Sequence, residues 1–141
     1  MRLTVIQGGR AKALRPLPRA DRVAALDRAR AAWERGDWFE AHELLEPAWM
    51  GTDDPSERDL YQGLIKLAAA YVHRARGNMS GLAKNLAGAD VLLRRVVAGN
   101  APSEGIPVRR LLIDIAARLP ANGRPADPTL EPPSLTIAEE P

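Results

Sequence analysis

From residue 21 to about residue 119 the chain repeats apolar residues at helical spacing. It nowhere alternates them in the period-two manner of a half-buried strand. Five segments read as helices. The first takes Asp21 as N-cap and runs to about Arg35, with Gly36 suited to a left-handed C-terminal position. The second starts at Asp37 and runs to about Met50, with Gly51 following. The third carries the clearest start signal, Asp54-Pro55-Ser56-Glu57. It offers an N-cap, a proline at the first helical position and an acid three residues on for a capping box. It runs to about Arg76 and stops at Gly77. Asn78 caps the fourth, which places Leu82, Leu86, Ala89, Leu93 and Val97 on one face and ends near Gly99-Asn100. Val108, Leu111, Leu112, Ile115 and Leu119 mark the fifth.

Two turns echo each other. Arg35-Gly36-Asp37 with Ala41, Leu45 and Ala48 matches Arg76-Gly77-Asn78 with Leu82, Leu86 and Ala89. Each copy is a helix, a glycine turn, a capping residue and a second amphipathic helix. Two copies are too few for a solenoid. The expected fold is therefore all-α: a bundle of four to five helices built from two helix–Gly turn–helix hairpins, antiparallel and stacked side by side. Its ends are expected to be disordered. Residues 1–20 contain Gly8-Gly9 and Pro16-Leu17-Pro18 and read as an extended, flexible arm. Residues 120–141 hold Pro120, Pro125, Pro128, Pro132, Pro133 and Pro141, too many for a helix or a central strand. A single helical domain over residues 21–119 remains.

Composition narrows the function. The chain has 141 residues, 45% of them apolar and 27% charged, which suits one globular domain. It contains no cysteine, which excludes disulfides, thiolate metal sites, a cysteine nucleophile and iron–sulfur clusters. No apolar run approaches the ~20 residues of a membrane helix. The stretch Met1–Gln7 has neither a long apolar core nor a small-residue cleavage pattern, so a cytoplasmic location is expected. Basic Arg2, Arg10, Lys12, Arg15 and Arg19 stand in the first arm without an acid, while Asp127, Glu131, Glu139 and Glu140 outweigh Arg124 in the tail. The basic arm alone, with no groove-reading motif beside it, argues weakly for nucleic acid.

Chemistry concentrates in the second and third helices. The chain has two histidines, His42 and His73. Trp38, Ala41, Leu45 and Trp49 form the buried face of the second helix, with His42 at its edge and Glu46 one turn on. Glu40 and Glu43 point towards water. In the third helix Gln62, Lys66, Ala69 and His73 share a stripe beside the apolar face of Tyr61, Leu64, Ile65, Ala68 and Val72. Packed antiparallel, the two helices would bring His42, Glu46, Gln62 and His73 together.

His42, Glu46 and Trp49 spell His-x-x-x-Glu-x-x-Trp, and with them stand Gly36-Asp37, Glu40-Ala41-His42-Glu43, Tyr61–Ala70, His73 and Arg76-Gly77-Asn78. Over about residues 23–97 these motifs resemble domain-of-unknown-function family 309, a bacterial and archaeal family without an established activity. The resemblance implies one functional suggestion, metal binding by the motif, which falls on His42 and Glu46. Pro47 departs from a regular motif helix, since it deletes the bond to the Glu43 carbonyl and favours a kink.

Three readings of this stretch stand side by side. His42, Glu46 and His73 would suit a divalent metal, zinc or iron, with an open position. The same residues with Gln62, and Trp49 as wall, would bind a small molecule. A plain His42–Glu46 hydrogen bond under Trp49 would fix helix register without a ligand. The spacing is neither the zincin His-Glu-x-x-His nor the Glu-x-x-His of di-iron bundles. No serine lies in a nucleophile elbow, and no glycine-rich loop has the setting of a phosphate cradle. A reaction is not implied. The alternative to a ligand-binding domain is a non-catalytic interaction module that docks a protein or a second copy through a hairpin groove, helped by Gly81, Asn85 and Gly88 on one side of the fourth helix.

Overall fold

The first amides of a helix lack intrahelical acceptors, and a side chain can stand in for them. In the computed structural model, which describes residues 4–7, 10–120 and 129–136 (for 4–7 and 10–13 the backbone alone), three of five helices begin this way. Asp37 accepts from Glu40 N at 3.1 Å to start α2, Trp38–Met50. Asp54 accepts from Glu57 N at 2.9 Å to start α3, Pro55–Ala75, with Pro55 in the first turn. Asn78 accepts from Gly81 N at 2.9 Å to start α4, Met79–Ala98.

The remaining starts differ from the sequence reading. α1, Arg19–Glu34, begins after Pro18 without a side-chain cap, which leaves Asp21 inside the first turn. The Pro18 carbonyl accepts from Asp21 N and Arg22 N, both within 3.0 Å, and makes the first helical bonds. α5, Val108–Arg118, follows Pro107 in the same way. The capping box at α3 is half made. Asp54 N donates instead to Thr52 Oγ1 at 3.1 Å, and Glu57 turns to Arg22 at 2.8 Å.

The two echoing turns are alike in geometry. Gly36 and Gly77 have φ of +83° and +78°, the left-handed region where a side chain costs most. Asp37 N donates to Ala32 O and Asn78 N to His73 O, both at 2.9 Å, so each capping residue also closes the helix before it. α3 packs most extensively on α4, while α1 packs on α2, α2 on α3, and α5 on α4. Leu26, Leu45, Trp49, Leu60, Tyr61, Leu64, Tyr71, Leu86, Leu93, Leu111 and Ile115 lie in one core, each nearly or fully buried. Gly63 permits the close approach of α3 and α4, because a Cβ there would meet Leu93 Cδ2 at 2.9 Å. The fold class is all-α, with five helices among the described residues.

Trp33, Trp38 and Tyr71 join α1, α2 and α3 through edge and tilted ring contacts with centroids 4.8–5.8 Å apart. Trp33 and Trp38 thus pack the first three helices together through Tyr71. α2 runs on through Pro47 to Met50 without interruption, and Pro47 is exposed.

The ends hold more than the sequence reading foresaw. Thr4–Gln7 (β1) and Arg10–Ala13 (β2) pair antiparallel, Thr4 opposite Ala13 and Gln7 opposite Arg10. Gly8-Gly9, read as a mark of flexibility, is also the two-residue link a hairpin prefers; the turn residues themselves lie outside the described residues. The backbone then follows the end of α2. Arg15 N and Leu17 N donate to Met50 O and Gly51 O, both at 3.0 Å. Gly51 makes that approach feasible, since a Cβ there would sit 2.5 Å from Leu17 Cβ. In the tail expected to be disordered, residues 129–136 lie against the helices with Leu135 only 3% exposed. Residues 1–3, 121–128 and 137–141 lie outside the described residues. No described helix is long and apolar enough to cross a membrane.

Candidate functional site

The meeting of α2 and α3 brings the two histidines together. Although 31 positions separate them, His42 and His73 line one pocket of about 200 Å³ with Phe39, Ala69, Val72 and Arg76. Phe39 and His42 come from the first turns of α2, Ala69, Val72 and His73 from the end of α3, and Arg76 from the turn behind it. No carboxylate lines the pocket.

Each ring has a distinct setting. His42 Nδ1 is buried and has no hydrogen-bond partner; Glu43 Oε1 approaches to 3.4 Å without hydrogen-bond geometry. A buried polar nitrogen without a protein partner is costly. His73 is held by the next turn. Asn78 turns its Oδ1 to Gly81 N and Ser80 Oγ, at 2.9 and 3.0 Å, so its Nδ2 faces His73 Nδ1 at 3.1 Å. Nδ1 is therefore the acceptor, and the ring proton sits on Nε2. Gly81 leaves room for the ring, since a Cβ there would meet His73 Cγ at 2.6 Å.

The other expected site residues lie elsewhere. Glu46 lines a different cavity, of about 420 Å³, with Arg15, Pro16, Leu17, Glu43, Pro47 and Met50. The 13 residues of α2 place it one turn beyond His42, on the side covered by the segment leading into α1. Trp49, expected as a wall, is wholly buried in the core. Arg58 lies over its ring, 4.5 Å from the centroid, and donates to its carbonyl at 3.0 Å. Gln62 is half-buried on α3 and does not line the pocket. The ligand set His42, Glu46 and His73 does not assemble: among the described residues no three His, Cys, Asp or Glu side chains stand where they could hold a metal ion. The carboxylate at His42 Nδ1 is that of Glu43.

Phe39, Val72 and Arg76 were missed. Ala69 and His73 already shared a sequence stripe, and Arg76 follows His73 by three, so the α3 wall had a signal in helical spacing. Phe39 had none, because its apolar ring points away from the core and is 57% exposed.

Linked motifs at these turns, helices and histidines can be compared with known proteins. Residues 26–85 match the domain of unknown function DUF309. The DUF309 match takes in all of α2 and α3 and ends inside α4. It therefore includes every residue of the His42–His73 pocket and omits α5 and the tail. An uncharacterised protein of Aquifex aeolicus (strain VF5) is 38% identical over 53 residues, covering 38% of this chain and 16% of that protein. The chain thus spans a small part of that relative's length. No solved structure matches.

Proposed function

We propose that this chain is a small-ligand-binding domain whose site is the pocket between α2 and α3, and that the ligand is a small anion with an apolar part. The observation that carries the reading is the convergence of His42 and His73 on one pocket beside Arg76. Imidazole N–H and guanidinium groups are donors suited to carboxylate or phosphate oxygens. Phe39, Ala69 and Val72 supply an apolar wall, the usual partner of a few placed polar groups in ligand sites. Two larger cavities, one at Glu46 and one of about 360 Å³ between α4 and α5, contain no histidine, and size alone does not favour them.

The test is an imidazole ¹H–¹⁵N correlation spectrum of the full chain, titrated separately with inorganic phosphate and benzoate. The reading expects saturable shifts of both rings together with at least one probe. Arg76→Ala should weaken that binding roughly tenfold, the loss of one charge-assisted hydrogen bond. Rings that do not respond to millimolar probe, or that respond equally in Arg76→Ala, would refute it.

A further inference from the structure

The strongest unexplained contact set lies away from the histidines, where residues 130–136 cross the ends of three helices. This stretch is neither helix nor strand. Its main-chain carbonyls are taken one after another by side chains of the domain. Arg74 of α3 donates to Leu130 O at 3.1 Å, and Arg118 of α5 to Glu131 O at 2.9 Å. Trp33 of α1 gives its indole Nε1–H to Pro133 O at 2.8 Å. Arg110 of α5 donates to Ser134 O at 3.2 Å and to Thr136 O at 2.9 Å. Glu34 works in the opposite sense, accepting from Leu135 N at 2.9 Å and from the Ser134 and Thr136 hydroxyls at 3.0 and 3.2 Å. Pro133 and Leu135 are buried, and the side chains between and beside them are exposed or half-exposed.

Scaffold side chains that read the main chain of an irregular segment, with one or two apolar residues in pockets, are how peptide-binding grooves work. Pro132-Pro133 restrict the segment before it docks, which lowers the cost of ordering it. Most of the polar contacts are exposed, so opening this segment costs less than opening the core. We propose that the surface formed by Trp33, Glu34, Arg74, Arg110 and Arg118 is a peptide-binding groove for an irregular Pro-Pro-x-Leu segment, and that residues 130–136 are its resident intramolecular ligand. Pro133 and Leu135 supply the sequence preference. The polar contacts to the main chain supply affinity without regard to side chains. This site is separate from the His42–His73 pocket and stands or falls without it.

A tethered occupant competes at an effective concentration on the order of millimolar, so the groove is masked in the resting chain. The test uses the full chain and a fluorescein-labelled peptide with the sequence of residues 129–136, followed by fluorescence anisotropy. Leu135→Asp, which cannot seat its side chain in the apolar pocket, should free the groove and bind the peptide at least tenfold more tightly than wild type. Adding Trp33→Phe, which removes the indole donor, should weaken that binding severalfold. A folded Leu135→Asp chain that binds no better than wild type would overturn the proposal. Should Leu135→Asp not fold, Leu135→Ser takes its place. Leu135 packs into the core cluster, so loss of folding in both would show that the domain cannot stand without this segment and would overturn the proposal equally. Hydrogen exchange on wild type gives an independent reading. The Leu135 amide should exchange at least tenfold faster than the Leu93 amide in α4, and equal rates would mean that the tail leaves only when the domain unfolds.

Discussion

Asn78 Nδ2 donates to His73 Nδ1 across 3.1 Å, so the residue that caps α4 also sets the tautomer of a histidine on α3. One side chain serves helix initiation with its oxygen and the candidate site with its nitrogen. The two tasks can be separated by substitution.

Asn78→Asp keeps an oxygen for Gly81 N, and the two residues cap about equally well, so stability should change by less than ~0.5 kcal/mol. The second oxygen then faces His73 Nδ1, which must carry a proton to meet it. The ¹⁵N shift of that nitrogen should move from the acceptor to the protonated range. Asn78→Ala, by contrast, should cost about 1 kcal/mol in denaturant melts through loss of the cap. Equal stability of Asn78→Ala and wild type would deny the cap its role.

Gly81→Ala is expected to disturb the pocket in spite of its better helix propensity. The new Cβ would lie 2.6 Å from His73 Cγ and 2.8 Å from Asn78 Nδ2. Alanine is the better helix former, but at this first-turn position it fits only if the ring moves. His73 ring resonances should therefore shift strongly, while the Tm changes little. An unmoved ring would mean that the two helices yield instead.

Gly77→Ala should destabilise the chain by about 1–2 kcal/mol although nothing lies within 4 Å of the added carbon. The cost comes from φ +78° alone. Urea unfolding measures it, and a neutral result would show that the turn relaxes to a right-handed conformation.

Burial raises both phenols, Tyr61 and Tyr71, above the ordinary value of 10.0. These are the two tyrosines of the chain. A folded-state value above the unfolded one contributes stability that is complete below about pH 10 and is lost as pH rises through the folded value. Absorbance at 295 nm should thus appear only above pH 10, together with loss of the far-ultraviolet helix signal. Ionisation near pH 10 in a still helical chain would place the phenols in water.

Helix existence and the three capped starts were legible because their causes are local. Asp37, Asp54 and Asn78 act on amides three residues away, and Gly36 and Gly77 supply their own φ. Pairing of Thr4–Gln7 with Arg10–Ala13 was less legible, since Gly8-Gly9 signals either a loop or a hairpin. The docking of residues 129–136 had no local signal. Its irregular backbone is fixed by donors up to 100 positions away, as Trp33 is from Pro133.

The site divides along the same line. Helical spacing by itself put His42 on the edge of one buried face and His73 in a stripe with Ala69, and both now line one pocket. Whether Glu46 joined them depended on which way α2 turns against its neighbours, which a period of 3.6 residues leaves open. Packing sent Trp49 into the core under Arg58 and Glu46 to a cavity beside Arg15, and left Phe39 in the pocket wall. Sequence determined the helices, the three side-chain caps at Asp37, Asp54 and Asn78, and the identity of the two imidazoles, because those follow from contacts within a turn. Tertiary structure alone decided which residues face those imidazoles, because that depends on long-range burial.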